Sequence, residues 1–287
     1  MPITASTRVV GIFGDPVAHS LSPAMHNAAL QKAGIDAVYV PFHVTPAQLP
    51  DAVQALRALQ MPGVNLTIPH KEAVCALLDE LDPLAELIGA VNTIVNRDGR
   101  LSGHNTDGLG LLRAIAEDLG IAVQGRRVLV VGAGGAARAA VVALAKAGAA
   151  WIGVANRTRE RAEKLRAELA PKLKGTALAA LPLSVELPAC LEQGVDLMVN
   201  SSAVGLKGEL LEVPLESCVL PGGAIYDMIY GPEPTPLVAS AHAAGLLATN
   251  GLGMLAGQGE GAFRLWFSSP APAGVMRTLL EQLCSEK

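Results

Sequence analysis

Apolar positions along this chain follow two alternating rhythms. Short apolar or period-2 runs read as strands; longer runs with apolar residues three and four apart read as helices. Arg8–Phe13, Ala37–Val44 and Val64–Ile68 read as strands, with a turn at Gly14-Asp15-Pro16. Helices are expected from Ser22 to about Lys32, over Pro46–Gln60 and over His70–Leu78. Ser22-Pro23 reads as an N-cap followed by proline at the first helical position, and Gly34 as the stop. Leu49, Val53, Leu56 and Leu59 share one face of the second helix. Val91–Asn96 and Leu101–His104 flank Asp98-Gly99, a hairpin signal. Thr106–Leu119 reads as a helix stopped at Gly120.

A second unit begins near Gly125. Arg127–Val131 reads as a buried strand, Ala136–Ala147 as a helix, Trp151–Asn156 as a strand and Arg159–Ala170 as a charged helix. Further strands are expected at Val195–Asn200, Ala224–Met228 and Leu246–Thr249. Met254–Phe267 and Pro272–Leu283 read as amphipathic helices. Repeated βα units imply an α/β fold of parallel sheets covered on both faces. The helix Thr106–Leu119 is the expected link between two domains.

Composition narrows the function. With 287 residues and 51% hydrophobic content, the chain has material for two ordinary cores. Formal charge is −4 with no basic block, and aromatics are 3%, so nucleic acid is not an expected partner. Cys75, Cys190, Cys218 and Cys284 form no CxxC pair, which fits reduced thiols in the cytoplasm rather than a disulfide framework or a zinc site. Met1–Val10 does not read as a signal peptide. The most apolar stretch, Val128–Val154, is broken by Arg138 and Lys146, short of the roughly 18 apolar residues of a membrane span.

Two sets of residues carry chemistry. The first is the strand ending Asn65-Leu66-Thr67-Ile68-Pro69-His70-Lys71. Alternation puts Asn65 and Thr67 on one face, and Pro69 ends the ladder because it has no N–H. Lys71 then stands at a strand-to-helix junction, where an amide, a hydroxyl and an ammonium suit a small polyhydroxylated ligand. A solvated lysine after an edge strand is the plainer reading. The second is Gly132-Ala133-Gly134-Gly135-Ala136-Ala137 between a strand and a helix, the G-x-G-x-x-G/A turn in its required setting. Gly132 permits the turn, Gly134 lets a pyrophosphate approach, and Ala137 keeps helix and strand close. The helix N-terminus attracts the phosphates. A ligand-free turn or a methyl-donor cofactor site would use the same pattern. An NAD site places Asp or Glu after the next strand; here Asn156-Arg157-Thr158-Arg159 stands there, which suits the 2′-phosphate of NADP. Solvated helix-start arginines are the alternative.

Other polar motifs are unspecific alone. Ser20-Leu21-Ser22-Pro23 has the form of a cap, Asn92 that of a local backbone partner, and Asp107 that of a carboxylate at a helix start. Together they are specific. Ser-x-Ser-Pro, Asn-x-Thr-x-Pro-x-Lys, Gly-Ala-Val-Asn-Thr, Asn-Thr-Asp-Gly, Gly-Ala-Gly-Gly-Ala, Asn-Arg-Thr, Asp-Met-Ile-Tyr and Gly-x-Gly-Met-Leu all occur between about Val10 and Phe267. With this set the chain resembles the shikimate/quinate dehydrogenase family.

The resemblance implies reversible reduction of 3-dehydroshikimate to shikimate with NADPH, in a chain whose N-terminal α/β domain faces a Rossmann-type doubly wound NADP-binding domain across a cleft. It implies a catalytic pair, Lys71 and Asp107, and a substrate pocket of Ser20, Ser22, Asn65, Thr67, Asn92 and Gln258, with Tyr39 and Tyr230 as further members. Gly132, Ala133, Gly134, Gly135 and Ala136 would meet the pyrophosphate, and Asn156, Arg157, Thr158 and Arg159 the ribose phosphate. Met228 and Gly253 would lie near the nicotinamide. The expected domains are 1–105 for substrate, 106–250 for NADP, and 251–287 as C-terminal helices packing back on the first. The partners would be small molecules, with no nucleic acid, no membrane, no metal, and a monomeric or homodimeric state. A free lysine titrates near about 10.4, so Lys71 suits proton donation to a ketone better than service as a free base. His19, His26, His70 and His104 lie near the motifs as other sources of a proton.

The chain also departs from the pattern. Asn200-Ser201-Ser202 stands where relatives often have Asn-Ala-Thr, and Gly259-Glu260-Gly261 where they often have Ala-Ala after the glutamine. This departure leaves quinate, which carries one more hydroxyl, and an aminoshikimate, whose ammonium Glu260 would favour, as alternative substrates. A cofactor-binding sensor without turnover is the reading from another class; retention of both Lys71 and Asp107 favours the enzyme.

Overall fold

A computed structural model describes residues 3–191, 193–211 and 214–285. The chain forms two compact units, one of residues up to Gly110 with Leu255–Leu283, the other of Leu111–Met254 with the residues from Cys284.

The first unit carries strands β1 (Arg8–Gly14), β2 (Ala37–His43), β3 (Gly63–Leu66), β4 (Glu80–Leu81), β5 (Thr93–Arg97) and β6 (Arg100–His104). Between them lie helices α1 (Ser22–Ala33), α2 (Leu49–Ala58), α3 (His70–Ala73) and α4 (Pro83–Ile88). The sheet order is β2-β1-β3-β5-β6-β4. β1 runs parallel to β2 and β3, whereas β5 runs antiparallel to β3 and β6. The sheet is therefore mixed rather than wholly parallel. The cause is local: Asp98 and Gly99 both have positive φ (53° and 87°), the tight turn that returns a strand beside its predecessor.

Three local expectations are corrected here. Leu21, not Ser22, is the N-cap of α1; Ser22 is its first helical residue and donates its N–H to Ser20 Oγ at 3.2 Å. Pro46–Gln60 breaks into a 3-10 turn (Pro46–Gln48) and α2, which ends at Ala58. Leu49, Val53 and Leu56 are buried, but Leu59 lies beyond the helix and is 69% exposed. His70–Leu78 is α-helical only to Ala73 and continues as a 3-10 turn over Val74–Leu77. Beyond β3, Thr67 N–H still bonds Phe13 O, and Asp15 N–H bonds Ile68 O, both at 3.0 Å, so the β1–β3 ladder runs to the residue before Pro69.

The division between units falls inside α5 (Asp107–Leu119) and α11 (Leu252–Phe267). The second unit contains β7 (Arg127–Val131), β8 (Trp151–Asn156), β9 (Ala177–Pro182), β10 (Val195–Asn200), β11 (Val219–Asp227) and β12 (Leu247–Thr249). Its helices are α6 (Gly135–Lys146), α7 (Arg159–Leu169), α8 (Leu187–Leu191), α9 (Leu215–Cys218) and α10 (Pro236–Ala243); α12 (Val275–Ser285) is the last described helix, and its residues up to Leu283 belong to the first unit. The order β12-β11-β10-β7-β8-β9 is parallel throughout. This is the doubly wound Rossmann arrangement, whose strand order reverses between β7 and β10, and dinucleotides bind at that crevice. Val128, Leu129, Val130 and Val131 of β7 are fully buried, as a strand covered on both faces requires. Among the described residues, no helix is long and apolar enough to cross a membrane.

Candidate active site

A lysine and an aspartate meet in the first unit. Lys71 is the second residue of α3, which follows β3, and Asp107 opens α5, which follows β6. Lys71 Nζ lies 2.6 Å from Asp107 Oδ2, with side chains 18% and 5% exposed. The main chain fixes both ends: Val91 N–H donates to Lys71 O at 2.7 Å, and Asp107 N–H donates to Asn105 Oδ1 at 3.1 Å. Lysine carries three N–H donors, so two besides the one facing Asp107 remain for other acceptors.

Buried amides surround the pair. Asn92 Nδ2 donates to Asp107 Oδ1 at 2.8 Å and Thr106 Oγ1 at 2.9 Å, and lies 3.4 Å from Gln258 Oε1. Gln258 Nε2 donates to Leu255 O, which turns Oε1 toward Asn92. Asn65 Nδ2 donates to Thr93 Oγ1 and Asn92 O, and Tyr39 Oη donates to Asn65 Oδ1 at 2.9 Å. The structure thus joins Tyr39, Asn65, Asn92, Lys71, Asp107 and Gln258 in one network. Ser20, Ser22 and Thr67 belong to the same unit but make no hydrogen bond into that network among the described residues. The Thr67 methyl packs beside Gly14, where a Cβ would sit 2.4 Å from it. Tyr230 lies in the second unit, on the segment after β11.

Thr93 and Thr106 are network members that the motifs contained but that sequence reasoning did not single out. Their hydroxyls read as strand and cap residues until the neighbouring amides are in place. Among the described residues, no histidine bonds Lys71 or Asp107. His70 Nε2 contacts Val44 O at 2.7 Å, and His104 contacts Ser102 Oγ at 3.0 Å. His26 is buried against Tyr39, with ring centroids 4.3 Å apart and planes 2° from parallel. Burial pushes the His26 imidazole down to about 3, so it is neutral at ordinary pH.

In the second unit the glycine turn has the shape a dinucleotide needs. Gly132 sits at φ +112°, and a Cβ there would come within 2.7 Å of Ser201 Oγ. Gly134 is extended, and among the described residues nothing lies within 4 Å of where a Cβ would sit, so space lies open over the turn. Among the described residues no side chain caps α6, which leaves its first N–H groups to a ligand. Ala133, Gly135 and Ala136 are half-buried beside that space, and Ala137 is buried against the sheet. After β8, Asn156 Nδ2 holds Thr158 O at 2.9 Å, which shapes the turn. Arg157 is exposed and makes no ion pair among the described residues, whereas Arg159 bonds Glu163 at 2.9 Å. These groups fit an adenosine ribose bearing a 2′-phosphate.

At the other side of the switch point, a buried polar knot holds the Met228 segment. Asp227 Oδ1 accepts from Asn200 Nδ2 at 2.9 Å and Ile229 N–H at 3.1 Å, and Oδ2 accepts from Thr235 Oγ1 at 2.6 Å. Burial raises the Asp227 carboxyl above its ordinary value. Met228 N–H donates to Asn200 O, and Gly251 lies against Met228, where a Cβ would be 2.2 Å from its carbonyl oxygen. Gly253 lets α11 approach α5: a Cβ there would lie 2.4 Å from Asp118 Oδ2.

A doubly wound dinucleotide-binding sheet, together with a second α/β unit that holds a buried lysine–aspartate pair, defines a two-unit nucleotide-binding protein. Comparison with known proteins specifies it further. Three family profiles match in chain order: the shikimate dehydrogenase substrate binding domain over residues 12–94, shikimate / quinate 5-dehydrogenase over 114–204, and the shikimate 5'-dehydrogenase C-terminal domain over 251–281. A shikimate dehydrogenase (NADP(+)) of Geobacter sulfurreducens is 51% identical over 98% of each chain. A shikimate 5-dehydrogenase of Listeria monocytogenes, solved in complex with shikimate and NAD, is 36% identical over 98% of each chain, with a TM-score of 0.87. That of Thermus thermophilus, solved in complex with NADP(H) and shikimate, is 39% identical over 96% of this chain and all of the other, with a TM-score of 0.85. The chain belongs to the shikimate dehydrogenase family.

Proposed function

We propose that the protein catalyses the reversible, NADP-dependent reduction of 3-dehydroshikimate to shikimate. The observation that carries this reading is the Lys71–Asp107 contact of 2.6 Å, held among buried amides in the unit matched by the substrate-domain profile. Bound NADP supplies hydride transfer to and from the substrate carbon; the protein's own task is the proton and the geometry. In ketone reduction, a Lys71 N–H faces the carbonyl oxygen and delivers the proton as the alcohol forms. In oxidation the same group receives it. Asp107 keeps the ammonium aimed and offsets its charge. Positioned acid–base groups of this kind contribute about 10²–10⁴-fold.

Asn65, Asn92, Gln258, Ser20, Ser22 and Thr67 are the groups of residues 1–105 and 251–287 that would recognise the ring hydroxyls and carboxylate, with Tyr39 behind Asn65. The Gly132–Ala136 turn, Asn156–Arg159, Met228 and Gly253 would take the cofactor. The open space at Gly134 and the exposed Arg157 support NADP binding there. We assign the protein to the cytoplasm, as a monomer or homodimer.

Quinate is the second reading, because the matched profile covers shikimate and quinate enzymes together. An aminoshikimate is a further candidate only through Glu260. Turnover of shikimate, quinate and an aminoshikimate with NADP and NAD, followed at the reduced-nicotinamide band, tests all three. Shikimate with NADP is expected to give the highest kcat/KM. A higher value for quinate would replace the first reading with the second, and the same kcat/KM ratios in Glu260→Ala would remove the third. Bound NADP with no turnover of any substrate would favour the sensor.

A further inference from the structure

Polar groups in the first unit form a line that runs beyond the ion pair, and main-chain groups fix its direction. Thr106 N–H donates to Asn92 Oδ1 at 2.9 Å, so that side of the Asn92 amide is the oxygen. Thr93 Oγ1, 2.9 Å from the same oxygen, must donate to it. Having spent its proton, the Thr93 hydroxyl accepts from Asn65 Nδ2 at 3.0 Å. Asn65 Nδ2 also meets the carbonyl of Asn92 at 3.1 Å, so the Asn65 amide cannot be reversed without opposing two acceptors. Its oxygen then takes the Tyr39 proton at 2.9 Å. At the far end, Asn92 Nδ2 donates to Asp107 Oδ1 at 2.8 Å, and Asp107 Oδ2 faces Lys71 Nζ at 2.6 Å.

We propose that Thr93 and Tyr39 are positioning residues of the reaction: a one-way chain of hydrogen bonds from the Tyr39 phenol through Asn65, Thr93 and Asn92 fixes the Asp107 carboxylate and, through it, the Lys71 ammonium. Every proton in the chain points toward Asp107. Bonds in series polarise one another, so each link strengthens the donation that reaches the carboxylate. Tyr39, Asn65, Thr93, Asn92 and Asp107 are all buried, where an unmade bond is expensive. The chain's origin is held rigidly. His26 stacks flat on the Tyr39 ring, and Trp266 packs at 6.1 Å from it. Gly259, next to Gln258, closes over His26, since a Cβ there would lie 3.3 Å from its Nε2. Neither Thr93 nor Tyr39 needs to touch substrate for this role.

The inference rests on the dehydrogenase reading, and the test separates the two. Thr93→Val removes the hydroxyl but keeps the branched shape that suits a strand; Thr93→Ser keeps the hydroxyl. With NADP and shikimate, Thr93→Val is expected to lower kcat about tenfold or more with KM within about threefold, the scale of one buried hydrogen bond left unmade. Thr93→Ser should stay within about threefold of the parent in both. Tyr39→Phe should cost about threefold alone and nothing further in the Thr93→Val background, because the chain is already cut. In nitrogen-15 spectra the Asn92 side-chain amide should shift and exchange faster in Thr93→Val but not in Thr93→Ser. Full kcat in Thr93→Val, equal losses in the two Thr93 variants, a loss confined to KM, additive effects of Tyr39 and Thr93, or an unmoved Asn92 amide would each overturn the chain. If the parent turns over none of these substrates, the dehydrogenase reading fails by itself and the Asn92 amide still judges the chain.

Discussion

Asp107 opens a helix, where a carboxylate already gains from the dipole, and it also meets a lysine and an asparagine side chain. Asp107→Asn keeps the size and loses the charge. Its kcat should fall about 10²-fold or more with little change in NADP affinity, since an amide no longer holds the ammonium by charge. Rapid-mixing kinetics and cofactor titration check both numbers, and wild-type turnover in Asp107→Asn would remove it from the mechanism. Lys71→Ala should lose at least as much kcat, again with NADP affinity retained. Arg157 and Arg159 differ in a way that sequence alone does not show. Arg159 already has a carboxylate partner in Glu163, while Arg157 does not among the described residues. Arg157→Ala is therefore expected to weaken NADP about tenfold and NAD hardly at all, with Arg159→Ala milder; equal losses for both cofactors would reject a 2′-phosphate role. The lysine and both arginines are legible in the sequence as charged groups that follow strand ends, and the aspartate only through the resemblance, since alone it reads as a helix-start carboxylate. Thr93 is not. A threonine in a strand is ordinary by propensity, and only the two amides on either side of its hydroxyl give it a task.

Elements with a strong local sequence pattern are the most legible. The strands β7 and β8, the α6 start and the Asp98-Gly99 hairpin follow from runs of apolar residues and positive-φ positions a few residues apart. What distant partners decide was not legible. Ala177–Pro182 has a composition that favours helix, and becomes strand β9 because β8 offers it an edge. Helix α4 is short and opens at Asp82-Pro83, where the Asp82 side chain accepts from Leu84 N–H and Ala85 N–H. Asp82→Ala should cost about 1 kcal/mol of stability, read as a lower urea midpoint with an unchanged slope. The glycine turn permits a sharper separation of folding from binding. Gly132 needs its positive φ and abuts Ser201, so Gly132→Ala should destabilise the second unit by about 2 kcal/mol or more. Gly134 has ordinary φ and open surroundings, so Gly134→Ala should leave the midpoint nearly unchanged while weakening NADP, because the new methyl would fill the space proposed for the pyrophosphate. A Gly134→Ala protein that binds NADP as tightly as the parent would place the cofactor elsewhere.

At the scale of the whole chain, the two units carry buried titratable groups of opposite sign. In the first unit His26 is depressed to about 3 by burial, and His104 is lowered for the same reason. As pH falls the unfolded chain takes up protons at these imidazoles, from about 6.5, before the folded unit does, so acid favours unfolding. The loss starts near pH 6.5 and grows until the folded His26 itself protonates; at pH 5 it amounts to about 2 kcal/mol from His26. In the second unit the Asp227 carboxyl is raised by burial. There the folded state takes up its proton first as pH falls, so the same acidification relieves a buried charge and adds stability. Each unit also contains one tryptophan, Trp266 in the first and Trp151 in the second. Trp151→Phe leaves Trp266 to report the first unit, and Trp266→Phe leaves Trp151 to report the second. Urea unfolding at pH 7.5 and at pH 5 should then move the Trp266 midpoint down on acidification, with the Trp151 midpoint steady or rising. His26→Gln in the Trp151→Phe background should flatten the first response, since glutamine binds no proton, even though loss of the stack lowers stability at both pH values. A Trp266 midpoint that holds between pH 7.5 and 5, or one that falls as steeply in His26→Gln, would show that the buried imidazole does not set the acid limit of the substrate-binding unit.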